Sequence, residues 1–328
     1  MTKIGVVGAG RWGRNIIRTC EKLGVLDSVC DANEAALAAL ATEYPSVHLE
    51  FEITSLLERD ISAVAIAAPP LVHAELALRA IAAGKHVFVE KPLAMTPDDA
   101  AAVVRAAQIR GVTLFVGHVL LYHPAVQRML GLIREGAVGA VRHVRSRRLS
   151  WGTLRASENV WWSFAPHDVA LMLELFGEAP LTVGGAMSAF VRPQIPDFAY
   201  ADLTFTRRRS AHIEVSWLDP DKSSRLDVFG ETGVLRVIDS REGASLTLTP
   251  CGTRQDESDQ PQLWIDEARP VAFTPAEPLA AELRAFIDAI ENGTRPVTDG
   301  ENGLAVVRVL SMLGARNKRR SLEEMSIV

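Results

Sequence analysis

Ile4-Gly5-Val6-Val7-Gly8-Ala9-Gly10-Arg11-Trp12-Gly13 starts as a short apolar strand, passes through G-x-G-x-x-G and enters a helical pattern. Strand, glycine turn and helix in that order open a doubly wound parallel sheet that binds a dinucleotide. Gly8 permits the tight turn, Gly10 lets the backbone approach a pyrophosphate, and Gly13 lets helix and sheet pack closely. The amino end of the helix offers N–H groups and a partial positive charge to the anion, which puts Arg11 and Trp12 among the cofactor-binding residues. Asp31 stands eighteen residues after Gly13, at the end of the second apolar run. A carboxylate there accepts hydrogen bonds from an adenosine ribose and repels a 2′-phosphate, so the cofactor expected is NAD, with NADP disfavoured.

Working outward, apolar runs at 3–7, 25–30, 47–51, 61–67, 86–90 and 112–117 alternate with helical patterns near 11–23, 33–43, 70–83 and 97–110. The last helix has clear ends: Thr96 as cap, Pro97 at the first position, Asp98 and Asp99 at the positive end, and Gly111 at the exit. After Gly117 the pattern changes. A helix near 124–135, a strand near 140–150 and a helix near 166–176 lead to strands near 181–191, 198–206, 210–217, 224–230 and 233–238. Short turns join these strands, as in an antiparallel sheet. Helices near 278–292 and 300–315 close the chain, and 239–275 is too polar and too rich in Gly and Pro to assign. The fold expected is α/β: a Rossmann domain over 1–118 and an α+β domain with a mainly antiparallel sheet over 119–328.

The chain has 328 residues, 48% of them hydrophobic, enough for two cores. Its net charge of −5, with both signs interspersed, leaves no footprint for nucleic acid or an anionic membrane. The run Arg207-Arg208-Arg209 is too short to change that reading. Cys20, Cys30 and Cys251 show no metal spacing and cannot all pair, which fits a reducing cytoplasm, as does a start without a cleavable signal pattern. No stretch reaches the length of a membrane span.

Glu90-Lys91-Pro92 follows the apolar run His86-Val87-Phe88-Val89 and so places an amine at the carboxyl end of an interior strand, where ligands of such sheets bind. Pro92 makes a cis Lys91-Pro92 bond accessible. Read alone, the tripeptide also fits an ordinary strand-end turn with a solvated lysine. Ala68 and Pro69 end the fourth strand at the same edge, where a turn can lie along the cofactor. His73, on the next helix, can reach it too, although a histidine at a helix start also reads as a cap or surface group.

With these motifs, Gly117-His118, Tyr122-His123-Pro124, Gly136-Ala137-Val138-Gly139 and Ala165-Pro166-His167-Asp168 follow in order. Together they resemble the glucose-fructose oxidoreductase, inositol dehydrogenase and MocA family over nearly the whole chain. The resemblance implies a dinucleotide domain joined to an open sheet domain, and hydride transfer between nicotinamide and a sugar-like alcohol or ketone. It also implies assembly through that sheet as a homodimer or homotetramer. Lys91 then orients the reacting hydroxyl and His167 exchanges its proton. The family often has an aspartate four residues before the histidine, whereas this chain has Ser163. The Trp-Ser pattern resembles a subgroup from sugar and nucleotide-sugar pathways.

Oxidising a secondary alcohol needs a base for the O–H proton while hydride leaves, and histidine titrates in the right range. Lys91 can stabilise charge on the oxygen or serve as the base itself. Glu90 accompanies it at the cofactor edge. Candidate substrate contacts are His118, Tyr122, Arg155 for a phosphate, Trp161 and Trp162 for stacking, Ser163, and Asp168; Asp168 reads equally as a helix cap and the tryptophans also as packing. The leading reading is an NAD-dependent oxidoreductase acting on a ring hydroxyl of a sugar or nucleotide-sugar, with position three of an activated hexose as the specific expectation. A ketosugar reductase, an inositol-type dehydrogenase and a non-catalytic NAD sensor stay open at this stage.

Overall fold

The structure, a computed structural model, describes residues 2–152, 154, 155, 158–240, 243–256 and 259–325. It divides into two compact units: residues up to Val119 with Glu277–Arg308, and Leu120–Ala276 with the residues from Val309 onward. The first break lies within a residue of the one read from the sequence, but Glu277–Arg308 returns to the first unit. Its apolar residues Leu283 and Phe286 fill that unit's core, a long-range packing relation that carries no local signal.

In the first unit, strands β1 (Ile4–Val7), β2 (Leu26–Cys30), β3 (His48–Glu50), β4 (Ala63–Ile66), β5 (His86–Glu90) and β6 (Leu114–Gly117) form one parallel sheet in the order β3-β2-β1-β4-β5-β6. Helices α1 (Gly13–Lys22), α2 (Glu34–Glu43), α3 (Ile53–Glu58), α4 (His73–Ala82) and α5 (Pro97–Arg110) connect them. The strand order reverses at β1 and β4, which opens the ligand crevice at their carboxyl ends. β1, β4 and β6 are buried at every position, so they read as apolar runs rather than alternations. α5 has the ends the sequence predicts: the Thr96 hydroxyl accepts the Asp99 N–H and Gly111 closes it in the left-handed conformation. α3, six residues long, was not legible because so short a segment shows no helical period.

The second unit contributes α6 (Pro124–Arg134), β7 (Val141–Trp151), α7 (Val160–Phe176), β8 (Thr182–Ser188), β9 (Phe198–Thr204), β10 (Ser210–Ser216), β11 (Leu218–Gly230), β12 (Gly233–Ser240), β13 (Gly243–Gln255), β14 (Pro261–Ile265) and β15 (Arg269–Pro270). The chain ends with α8 (Pro278–Asn292) and α9 (Gly300–Met325). The sheet runs β14-β13-β12-β11-β7-β10-β9-β8, with β15 on β13. Its neighbours are antiparallel except β7 and β10. β13 to β15 occupy the stretch left unassigned; their half-exposed residues give no clean alternation. Ala199, Ala201, Leu203, Ala211, Ile213 and Val215 alternate inward and form the core beneath α7. On the other side of the sheet, Arg145 and Arg236 stand in register with Asp227, and together with Arg225 they surround its buried carboxylate at 2.5 to 2.8 Å.

Candidate active site

The glycine loop is built as its sequence implies. Gly8 has φ +101°, and a Cβ there would meet the Ala67 carbonyl oxygen at 2.8 Å, so only glycine is tolerated. A Cβ on Gly13 would collide with the Gly8 carbonyl, whereas one on Gly10 would meet nothing within 4 Å. The loop is therefore closed beneath and open above, the cradle a pyrophosphate needs. Trp12, the N-cap of α1, supplies no side-chain acceptor, so the helix end carries no built-in anion of its own. Asp31 Oδ2 accepts the Ala9 N–H at 2.6 Å, and Oδ1 accepts the Asn33 N–H at 2.8 Å. Asn33, not Asp31, caps α2 through the Ala36 N–H. The residues present fit a dinucleotide.

At the same edge, Lys91-Pro92 is cis. His73 is buried, not a surface group: Nδ1 lies 2.8 Å from the Pro92 carbonyl oxygen and Nε2 2.8 Å from that of Ala68. One ring thus ties the turn after β4 to the turn after β5, so His73 fixes Pro69 and Lys91 from behind. Glu90 is buried as well. Its Oε1 accepts the indole N–H of Trp12 and its Oε2 accepts the Lys91 backbone N–H at 3.3 Å. Burial pushes the Glu90 carboxyl up to about 7 against these donors and the Lys91 charge. His118, directly after β6, is fully buried, and burial followed by the Lys91 charge lowers it to about 3, so its ring is neutral at any physiological pH. Arg11 is exposed on the loop.

In the second unit, α7 starts at Val160, six residues before the sequence reading placed it. Asn159 caps it by accepting the Trp162 N–H at 3.1 Å, and Pro166 lies within the helix rather than at its first turn. The capping reading of Asp168 is therefore overturned: a proline suggested a start where the helix tolerates the loss of one N–H. Asp168 is buried, accepting the Ser146 hydroxyl at 2.6 Å and the Arg148 Nε and Nη2 at 3.1 Å each. Ser163 and His167 are four apart in this helix and so share a face; Ser163 is buried and His167 half-buried. Trp161 is fully buried with its indole N–H on the Leu310 carbonyl, the packing reading of that residue, while Trp162 is half-buried. Arg155 is exposed and paired with Glu158 at 2.6 Å. Tyr122, in a single 3-10 turn over Val119–Tyr122, is half-buried.

Sequence reasoning missed Arg148, whose polar partner is distant in the chain, and Glu282, fully buried on α8. Glu282 had a signal: it sits at helical spacing among Leu279, Leu283 and Phe286, on the face that packs inward. Among the described residues no cluster of His, Cys, Asp or Glu could hold a metal.

Two family models match: an oxidoreductase family with an NAD-binding Rossmann fold over residues 2–118, and the GFO/IDH/MocA C-terminal domain over 126–236. The chain belongs to the GFO/IDH/MocA family of oxidoreductases. It is 28% identical to the UDP-N-acetylglucosamine 3-dehydrogenase of Acidithiobacillus ferrooxidans, over 93% of this chain and 94% of that one. A crystal structure of that enzyme superposes with a TM-score of 0.83, covering 95% of this chain and 96% of that one. A solved chain from Magnetospirillum magnetotacticum MS-1 is 32% identical with a TM-score of 0.81, covering 95% and 99%. The inositol 2-dehydrogenase of Rhizobium meliloti is 26% identical over 93% of each chain. No helix among the described residues is long and apolar enough to cross a membrane.

Proposed function

We propose that the protein is an NAD-dependent dehydrogenase of a ring hydroxyl in a nucleotide-activated sugar, at position three of the hexose. The observation that carries the reading is the full-length likeness to a UDP-N-acetylglucosamine 3-dehydrogenase. The dinucleotide cradle of Gly8, Gly10 and Gly13 supports it. Bound NAD would supply the hydride acceptor. Lys91 orients the reacting hydroxyl and stabilises charge on its oxygen, and His167 takes the proton. Trp162, Tyr122, Ser163 and Arg155 remain the proposed substrate contacts of the second unit. Asp31, with a carboxylate at the ribose position, favours NAD over NADP.

We further propose that copies of the chain associate through the face of the sheet on which Tyr200 stacks against His212, with Tyr200 36% exposed. Three free thiols accord with work in the reducing cytoplasm.

The test is absorbance of reduced nicotinamide when the purified protein meets NAD and UDP-N-acetylglucosamine, free N-acetylglucosamine or myo-inositol. Turnover confined to the nucleotide-sugar is the expected result. Turnover of inositol alone would move the assignment to the inositol dehydrogenases, and binding of NADH with no turnover on any of them would overturn the catalytic reading. Light scattering reports the assembly.

A further inference from the structure

Phe286 of α8 packs edge-on against Phe88 of β5 at 5.8 Å and Phe115 of β6 at 5.6 Å. Those rings set the register of the helix on the sheet. Glu282 lies one turn before Phe286 on the same helical face, and Glu90 lies two residues after Phe88 on the same sheet face. The two steps match, roughly 6 Å along the helix and roughly 6.6 Å along the strand. Glu282 is thereby brought toward Glu90, whose charge acts on it, at the carboxyl edge of the sheet. Gly117, the register partner of Glu90, keeps the space open: a Cβ there would meet Glu90 Oε1 at 3.1 Å.

The two carboxyls are provided for differently. Glu90 has a donor on each oxygen, the Trp12 indole and the Lys91 backbone N–H. Glu282 is 0% exposed, and neither of its oxygens meets a hydrogen-bond donor. A carboxylate so placed would bear the full cost of desolvation with nothing to offset it. The charged and titratable groups acting on this corner add to that cost or leave it unchanged. Glu90 and Glu277 both repel charge on Glu282; Glu277 holds the α8 N-terminus by accepting the Leu279 and Ala280 N–H groups; His118 is neutral; Lys91 acts on Glu90.

We infer that Glu282 is a positioning residue for Lys91: as the neutral acid it shares its proton with the Glu90 carboxylate, so that the pair holds one negative charge against the lysine ammonium. Burial raises both carboxyls, and Glu282, which lacks donors and faces Glu90, is the one that keeps the proton. The single charge holds the Lys91 turn without a second carboxylate drawing the ammonium away from the substrate. This role rests on the proposed dehydrogenase reading, in which Lys91 meets the reacting oxygen.

The full-length protein carrying Glu282→Gln or Glu282→Leu tests it, with Lys91→Met as reference. In the infrared spectrum at neutral pH, the wild type should show a neutral-acid carbonyl band that moves on labelling with carbon-13 glutamate and vanishes in Glu282→Gln. Absence of that band in the wild type overturns the inference whatever the substrate turns out to be. In turnover, Glu282→Gln retains a donor and should stay within about threefold in kcat but lose the pH limb of the pair. Glu282→Leu should lower kcat by about tenfold or more with the affinity for NAD unchanged. Wild-type kcat and an unchanged pH profile in both variants would refute the role while a dead Lys91→Met kept the dehydrogenase reading intact. A fully active Lys91→Met would instead remove Lys91 from the chemistry.

Discussion

Asp31 accepts the backbone N–H of Ala9 at 2.6 Å, so the residue proposed to meet the ribose also ties the glycine loop to the end of β2. Its substitution should act twice. Asp31→Ala removes a charge-assisted acceptor worth about 1.5–3 kcal/mol, raising KM for NAD by about 10- to 100-fold. Asp31→Ser should narrow the proposed preference for NAD over NADP by about tenfold or more, because the carboxylate expected to repel a 2′-phosphate is gone. Paired KM measurements with the two cofactors check both. A melting temperature lowered without ligand would report the loss of the Ala9 and Asn33 tethers.

His73 spans the carbonyls of Ala68 and Pro92 and is buried, so each tautomer donates to one of them. Truncation to alanine leaves both acceptors without the ring and opens a cavity behind Lys91. The expected loss is about 2–4 kcal/mol in a denaturant titration. kcat should fall with little change in KM for the sugar, since the ring positions the lysine turn rather than the ligand. An unchanged kcat would separate the turn from the chemistry.

These two residues mark how far the sequence could be read. The glycine loop was legible because strand, turn and helix signals adjoin, and each glycine answers a local steric demand. The strands of the first unit were legible because parallel strands buried on both faces are continuous apolar runs. His73 could be located but not interpreted: its partners lie 5 and 19 residues away, and only the fold brings them together. Asp168 failed for a different reason. Pro166 resembled a helix start, and the competing cap at Asn159 lay seven residues upstream, outside the helix expected near 166–176. Trp161 and Arg148 depend on partners in other elements, and nothing in periodicity reveals those.

Asp168 is 1% exposed and takes two hydrogen bonds from Arg148, whose own side chain is 21% exposed. Removing the carboxylate strands a guanidinium and the Ser146 hydroxyl in the core of the second unit. Asp168→Ala should therefore cost about 3–5 kcal/mol, the range for breaking a buried pair at one end. The double variant Arg148→Met with Asp168→Leu removes both charges and should recover most of that stability. If turnover also returns in the double variant, Asp168 acts by holding α7. If stability returns and turnover does not, its charge acts on His167 or the substrate. Denaturation and kcat measured on the same three proteins decide between them.

The pH dependence of stability should show opposed contributions from one corner of the first unit. Glu90 is raised by burial from 4.5 to about 7. The native state then holds a proton that the unfolded chain has lost, so the stability Glu90 contributes is complete below 4.5 and fades as pH climbs to 7. His118 is lowered by burial and the Lys91 charge from 6.5 to about 3. Between those values the unfolded chain binds the extra proton, so its contribution is complete above 6.5 and is lost as pH falls toward 3. Where the windows overlap, from 4.5 to 6.5, the rising slope of His118 opposes the falling slopes of Glu90 and of Glu282, which burial also raises, so the wild type should lose stability with rising pH there. His118→Asn removes the rising contribution, so its stability should fall steadily with pH across that interval. Glu90→Gln removes one of the two falling contributions and should be nearly level, because Glu282 still offsets His118. Urea titrations of the three proteins at pH steps through the overlap measure the slopes, and equal slopes in all three would mean that neither group titrates in the environment described.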